Sequence, residues 1–201
     1  MYARFKYWFV NIYWYHYKLH TFVAAFILAV VAITVYSALT GSRPDFVFIV
    51  ASEYPVYEEQ GRELAGFWAE NADGVTELSY SVLFMSDNSE YAMTNWQLLT
   101  IALISEDHSL FIIGESLLPL MTDYRDEFYT FDELGLSPRD GPEPAFIPLE
   151  GAPLMDTLGF GHEPMYGLVK RPPYGRGGSV KPEDSARSAL SAACLRALLG
   201  A

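Results

Sequence analysis

Hydrophobic and polar positions divide this chain into two parts. Thr21 to Leu39 (TFVAAFILAVVAITVYSAL) is an apolar run of 19 residues, and no Lys, Arg, Asp or Glu lies between Lys18 and Arg43. At about 1.5 Å per residue, a helix of this length reaches roughly the 30 Å hydrocarbon core of a bilayer. A core helix of a soluble protein would show a polar face. Here only Thr21, Thr34, Tyr36 and Ser37 are polar, and such hydroxyls bond within a helix or sit at an interface. The apolar region of a cleaved signal peptide is shorter, about 7–15 residues, so a retained anchor is expected. The boundaries are then a head over residues 1–20, a transmembrane helix over 21–40 and a domain over 44–201.

Beyond Pro44 the period changes repeatedly. Asp45 to Ala51 (DFVFIVA), Glu77 to Phe84 (ELSYSVLF) and Ser109 to Ile113 (SLFII) read as strands. Between them, Pro55 to Asn71 and Tyr91 to Ser105 step at helical spacing. Leu64, Phe67 and Trp68 mark the core side of the first helix, and Trp96, Leu99, Leu103 and Ile104 that of the second. Leu117 to Tyr124 adds a short helix, and Phe128 to Leu134 an extended or 3-10 piece. Phe128, Tyr129 and Phe131 there form a candidate exposed apolar patch. Proline and glycine become frequent from Ser137 to Pro182, where Met165 to Lys170 can add a strand, with an antiparallel setting open to it. Pro182 then suits the first turn of a last helix, with Glu183 and Asp184 at its positive end. Strands alternating with helices predict an α/β fold, a small three-layer lobe with a mostly parallel sheet.

Charge is partitioned as sharply as hydropathy. All 25 acidic residues follow the apolar run, with 10 of the 13 basic ones, so the domain carries −15 and the head +3. Arg4, Lys6 and Lys18 precede the run without an acid. The positive-inside rule therefore puts the N-terminus in the cytoplasm and the domain outside the cell membrane. A domain of −15 repels a phosphate backbone, which argues against nucleic acid as a partner. The head is crowded with Tyr, Trp and Phe, which favour the headgroup layer, so membrane lipid is its expected partner. His16 and His20 share a helix face at i, i+4, but two ligands fall short of a zinc site.

Ligands of open α/β sheets lie outside the carboxyl ends of the strands. That rule marks Ser52, Glu53, Ser86, Asp87, Glu115 and Ser116 as the rim of any ligand-binding pocket. No H-E-x-x-H, G-x-S-x-G, Walker or G-x-G-x-x-G pattern occurs, so no catalytic residue, metal or cofactor is assigned. An enzyme would need His108 or His162 to meet a nucleophile or carboxylate in space. Asn71-Ala72-Asp73-Gly74 is similar to the middle of a calcium loop, but Ala69 and Tyr80 stand where carboxylates are needed, which leaves a turn. Gly175-Arg176-Gly177-Gly178 reads as a flexible loop without the strand-to-helix setting of a phosphate site. Cys194 is the one cysteine, so no intramolecular disulfide can form, and its place on an apolar stripe suggests a packed side chain.

The order strand, helix, strand, helix, then ISEDHSLFIIGES and FDELGL, resembles a lobe of the solute-binding proteins of ABC transporters. The head YWFVNIYWYHYKLH before a single span resembles uncharacterised single-pass membrane proteins of Gram-positive anaerobes, in which one periplasmic-binding-like lobe follows an aromatic start. The resemblance implies the fold more than a transport role. A solute-binding protein closes two lobes on its ligand, and the roughly 160 residues here make one. The expected function is non-catalytic binding of a membrane or cell-envelope protein partner. Solute binding or ligand sensing is the alternative.

Overall fold

The computed structural model describes residues 2–8, 14–40, 44–86, 91–137, 141–160, 162–173 and 180–200. Asp87, the segment 174–179 and the side chains of Arg4, His16 and Lys18 lie outside the described part. The chain forms two compact units, Met1–Arg43 and Pro44–Ala201. In the first, α1 (Tyr2–Trp8) precedes α2 (Trp14–Thr40). Within α2, Leu19–Tyr36 has a mean hydropathy of 2.2 and no residue buried against protein, so this one N-terminal helix is long and apolar enough to cross a membrane. Two of its hydroxyls are satisfied inside the helix. Thr21 Oγ1 donates to the Tyr17 carbonyl at 3.0 Å and Thr34 Oγ1 to that of Val30 at 2.9 Å, as an apolar surrounding requires.

The second unit is mixed α/β around a five-stranded, mostly parallel sheet. Its elements are β1 (Phe46–Ser52), α3 (Glu58–Asn71), β2 (Leu78–Phe84), α4 (Ala92–Ile104) and β3 (His108–Gly114). A 3-10 turn (Glu115–Leu117) leads into α5 (Leu118–Thr122), then β4 (Ile147–Pro148), α6 (Pro153–Thr157), β5 (Met165–Val169) and α7 (Pro182–Leu199). The order across the sheet is β2-β1-β3-β5-β4. β1 lies parallel to β2, from Phe46 opposite Leu78 to Ser52 opposite Phe84, and parallel to β3. β5 runs antiparallel to β3, with Gly114 opposite Met165, and β4 antiparallel to β5. Asp45 Oδ2 fixes the start of β2 by accepting the Thr76 and Glu77 backbone N–H groups at 2.6 and 3.0 Å.

Side chains alternate along the central strands into two cores. Phe48, Val50, Leu110 and Ile112 pack with Leu64 and Trp68 of α3 and with Cys194, Leu195 and Leu198 of α7. Ile49, Ala51, Phe111 and Ile113 pack with Leu99 and Leu103 of α4 and with Met121 of α5. Trp68 meets the Phe48 ring edge-on, centroids 4.8 Å apart. Cys194 sits fully buried, and burial first, then the nearby Asp45 carboxylate, pushes its thiol up to about 12.

The strands lie within a residue of their expected ends, and β5 takes the antiparallel option. Two expectations about apolar surface are corrected. Phe128 and Phe131 are buried: Phe128 bridges to Lys170 beside β5 and meets Phe111 edge-on, and Phe131 joins the core that holds Trp68 and Leu195. Ile104, expected in the core, points outward. β4 and α6 were hidden in the proline-rich stretch, where a two-residue strand and a one-turn helix leave no period to read.

Gly61 sits where α3 crosses β2. A Cβ there would lie 2.6 Å from Tyr80 Cδ2 and 2.9 Å from Val82 Cγ2. Helix propensity alone favours Gly61→Ala by about 1 kcal/mol, whereas overpacking costs about 1–3 kcal/mol. The clash should win and lower Tm by about 2–8 °C. A higher Tm would contradict this account of the α3–β2 contact.

Candidate functional site

The chain leaves β1 for β2 on one side and returns to β3 on the other, so the sheet reverses its order between β1 and β3. Ligand crevices of open α/β sheets form outside the carboxyl ends of strands at such a point. Ser52 ends β1, and Gly114 ends β3 just before Glu115 and Ser116. The structure brings Ser52 and Ser116 together through a residue absent from the expected rim, Glu163. Its Oε1 accepts a hydrogen bond from Ser52 Oγ. Its Oε2 accepts from the Ser116 backbone N–H at 3.1 Å and from Ser116 Oγ at 2.9 Å.

Several features hold this carboxylate in place. The close approach depends on Gly114, since a Cβ there would lie 2.0 Å from Glu163 Oε1. Ser52 Oγ is fixed in turn by the Tyr54 backbone N–H at 2.9 Å. The His162 ring stacks on Tyr54 at 5.9 Å with 16° between planes, and the Glu115 N–H donates to the Pro164 carbonyl at 2.9 Å. The segment leading into β5 is thereby latched over the crevice. Only about 10 Å³ remains between Ser52, Tyr54 and Glu163, and a neighbouring hollow of about 330 Å³ lies beside Met155, Phe160 and Glu163. Glu53 and Glu115 are exposed and Ser86 is half-buried, whereas the hydrogen bonds of the latch come from Ser52 and Ser116. A glycine closing a buried strand was the available sign of a close approach. It could not say which residue approaches, since Glu163 lies 47 positions from Ser116.

A larger cavity, about 390 Å³, opens at the other end of the sheet, beside the starts of β3 and α7 and the end of β5. Lys170 reaches into the C-terminal end of α4. Its Nζ donates to the Leu103 carbonyl and, at 3.1 Å, to that of Ser105, and lies 3.9 Å from Glu127. A cation is stabilised there by the helix dipole. Arg187 Nη1 stands 3.2 Å from Asp107 Oδ1 and 3.5 Å from Asp184 Oδ1. Burial holds His108 below the ordinary histidine range, with Lys170 pushing the same way against the pull of Asp107. Burial likewise lowers Lys170, against Glu127 and Glu106. His108 Nδ1 is buried with no hydrogen-bond partner among the described residues, and the His162 ring is held by its stack on Tyr54. Among those residues no group of three His, Cys, Asp or Glu side chains could hold a metal ion.

Two predictions follow from this geometry. Glu163→Ala and Gly114→Ala should each cost about 1–3 kcal/mol, the first from lost charged hydrogen bonds and the second from overpacking. Combined, they should cost less than the sum by at least about 0.5 kcal/mol, because the alanine methyl then meets no carboxylate. Strict additivity in thermal melts would contradict the latch. For His108, the unfolded chain binds the proton more readily than the folded one. Its contribution to stability is thus intact above about pH 6.5 and falls as pH drops below that value. An NMR titration of its ring should give a midpoint below 6.5, and a midpoint at or above it would contradict the burial account. Compared with family models, with curated proteins and with solved structures, the chain finds no match.

Proposed function

We propose that the protein is a single-pass membrane protein whose extracytoplasmic lobe binds a membrane or cell-envelope protein partner without catalysing a reaction. The N-terminal helix supports the anchoring, and Arg4, Lys6 and Lys18 before it support a cytoplasmic N-terminus. A three-layer reading of the lobe is supported by its two cores, formed by alternate residues of β1 and β3.

The observation that carries the binding reading is the outer face of α4. This helix, AMTNWQLLTIALI, has no charged residue. It buries Leu99, Ala102 and Leu103 but leaves Met93, Ile101 and Ile104 outward at 76, 60 and 72 % exposure, with Leu98 also exposed. A surface helix of a monomer normally places charge on that side. An uncharged face that exposes Met93, Leu98, Ile101 and Ile104, interspersed with Thr94, Gln97 and Thr100, supports an interaction surface. The lobe's −15 charge disfavours anionic lipid headgroups, which leaves an apolar protein surface as the fitting partner. Solute binding, the second reading, is favoured by the 390 Å³ cavity.

Ile101→Glu tests the first reading. The position is exposed, so Tm should move by less than about 0.5 kcal/mol equivalent. Recovery of the partner with the full chain from its native membranes should fall by about tenfold or more, as loss of a central apolar contact of 1.4 kcal/mol or more requires. Unchanged recovery with an unchanged Tm would overturn the assignment to α4.

A further inference from the structure

The cavity at the starting end of β3 contains an unmet requirement. Asp184 sits in the first turn of α7, and its side chain is only 4 % exposed. Its Oδ1 faces Arg187 at 3.5 Å, and Lys181 stands 4.0 Å from Oδ2. Oδ2 is nevertheless buried without a hydrogen-bond partner among the described residues, and so is His108 Nδ1 on the same cavity wall. A buried carboxylate oxygen left without a donor is costly, about 1–3 kcal/mol or more. The helix N-terminus and Arg187 offset part of that cost, but neither supplies the missing N–H.

The remaining cations are already engaged. Lys170 is held by two carbonyls of the α4 terminus. Arg171 forms a two-point pair with Glu133, at 2.7 and 2.6 Å. Against them the cavity presents Glu106, Asp126 and Glu127 besides Asp184, and its other wall is apolar, from Leu103, Ile104 and Pro172. Glu106 is paired with Lys181, Asp126 with Arg125 and Glu127 with Lys170, so Asp184 Oδ2 is the acceptor left without a hydrogen-bond donor among the described residues, next to a surface that can cover a short hydrocarbon body.

We propose that this cavity binds a small organic cation, a primary ammonium or guanidinium on a short aliphatic body, with its N–H groups directed to Asp184. The site shares Ile104 with the outward face of α4 but excludes Ile101, and it supplies the ligand class that the solute-binding reading lacked. A butyl chain with such a head occupies well under half of 390 Å³, and the acidic lobe attracts it.

The test uses the full chain in lipid nanodiscs, titrated with n-butylamine and butylguanidine while thermal stability is read. 1-Butanol serves as the uncharged control and butyrate as the anionic one, and empty nanodiscs correct for partitioning. The cations should raise Tm saturably and the controls should not. Asp184→Asn should raise the midpoint concentration by about ten- to a hundredfold, the worth of a charged hydrogen bond. Arg187→Gln removes a competing cation from Asp184 and should lower the midpoint, so the proposal stays testable if Asp184→Asn fails to fold. No saturable shift with either cation, an equal shift with 1-butanol, or an unchanged midpoint in both variants would overturn it. Partner recovery through α4 is read separately, so failure of one leaves the other standing.

Discussion

Burial of β1 on both faces is the constraint from which the lobe's architecture follows. The strand runs between two parallel neighbours, and its side chains alternate between two cores. Parallel strands need crossover helices, and those helices must cover both faces. α3 and α7 contribute to one of these cores and α4 and α5 to the other. The two ends of β1 and β3 then become the places where polar chemistry can gather, because backbone groups there leave the ladder.

The two ends are used differently. At the carboxyl end, Glu163 comes from a distant loop to occupy the crevice that the sheet topology creates. Ser52, Ser116 and the missing side chain of Gly114 shape the space to a carboxylate. That end is filled by the protein itself. At the opposite end, Lys170 fastens the α4 terminus, while His108 Nδ1 and Asp184 Oδ2 lack a hydrogen-bond partner among the described residues beside a cavity. α4 joins the two properties of interest, since its last turn walls the cavity and its outer face carries the uncharged stripe.

Much of this was legible in the sequence. The apolar helix, three parallel strands, the long helices and the start of α7 at Pro182 follow from hydrophobic period and breaker residues, which act locally. The place of Ser52 and Ser116 at strand ends was legible, because strand ends follow from element order. Glu163 was not, because its role depends on a long-range approach that no local pattern encodes. The apolar patch was misplaced for a similar reason. Phe128 and Phe131 looked exposed in an irregular segment, and it is long-range packing, of Phe128 in one core and Phe131 in the other, that buries them. The last turn of α4, Ile101 to Ile104, is apolar at every position, so periodicity could not tell the inward Leu103 from the outward Ile104.

The central claim is that the lobe docks through the outer face of α4. Its most direct measurement places a photo-reactive amino acid at Ile101, and separately at the exposed Glu70 on α3, in the full chain in its native membranes. The account predicts one discrete protein cross-link from position 101 and none from position 70. Equal labelling from both positions, or lipid adducts alone from position 101, would contradict it.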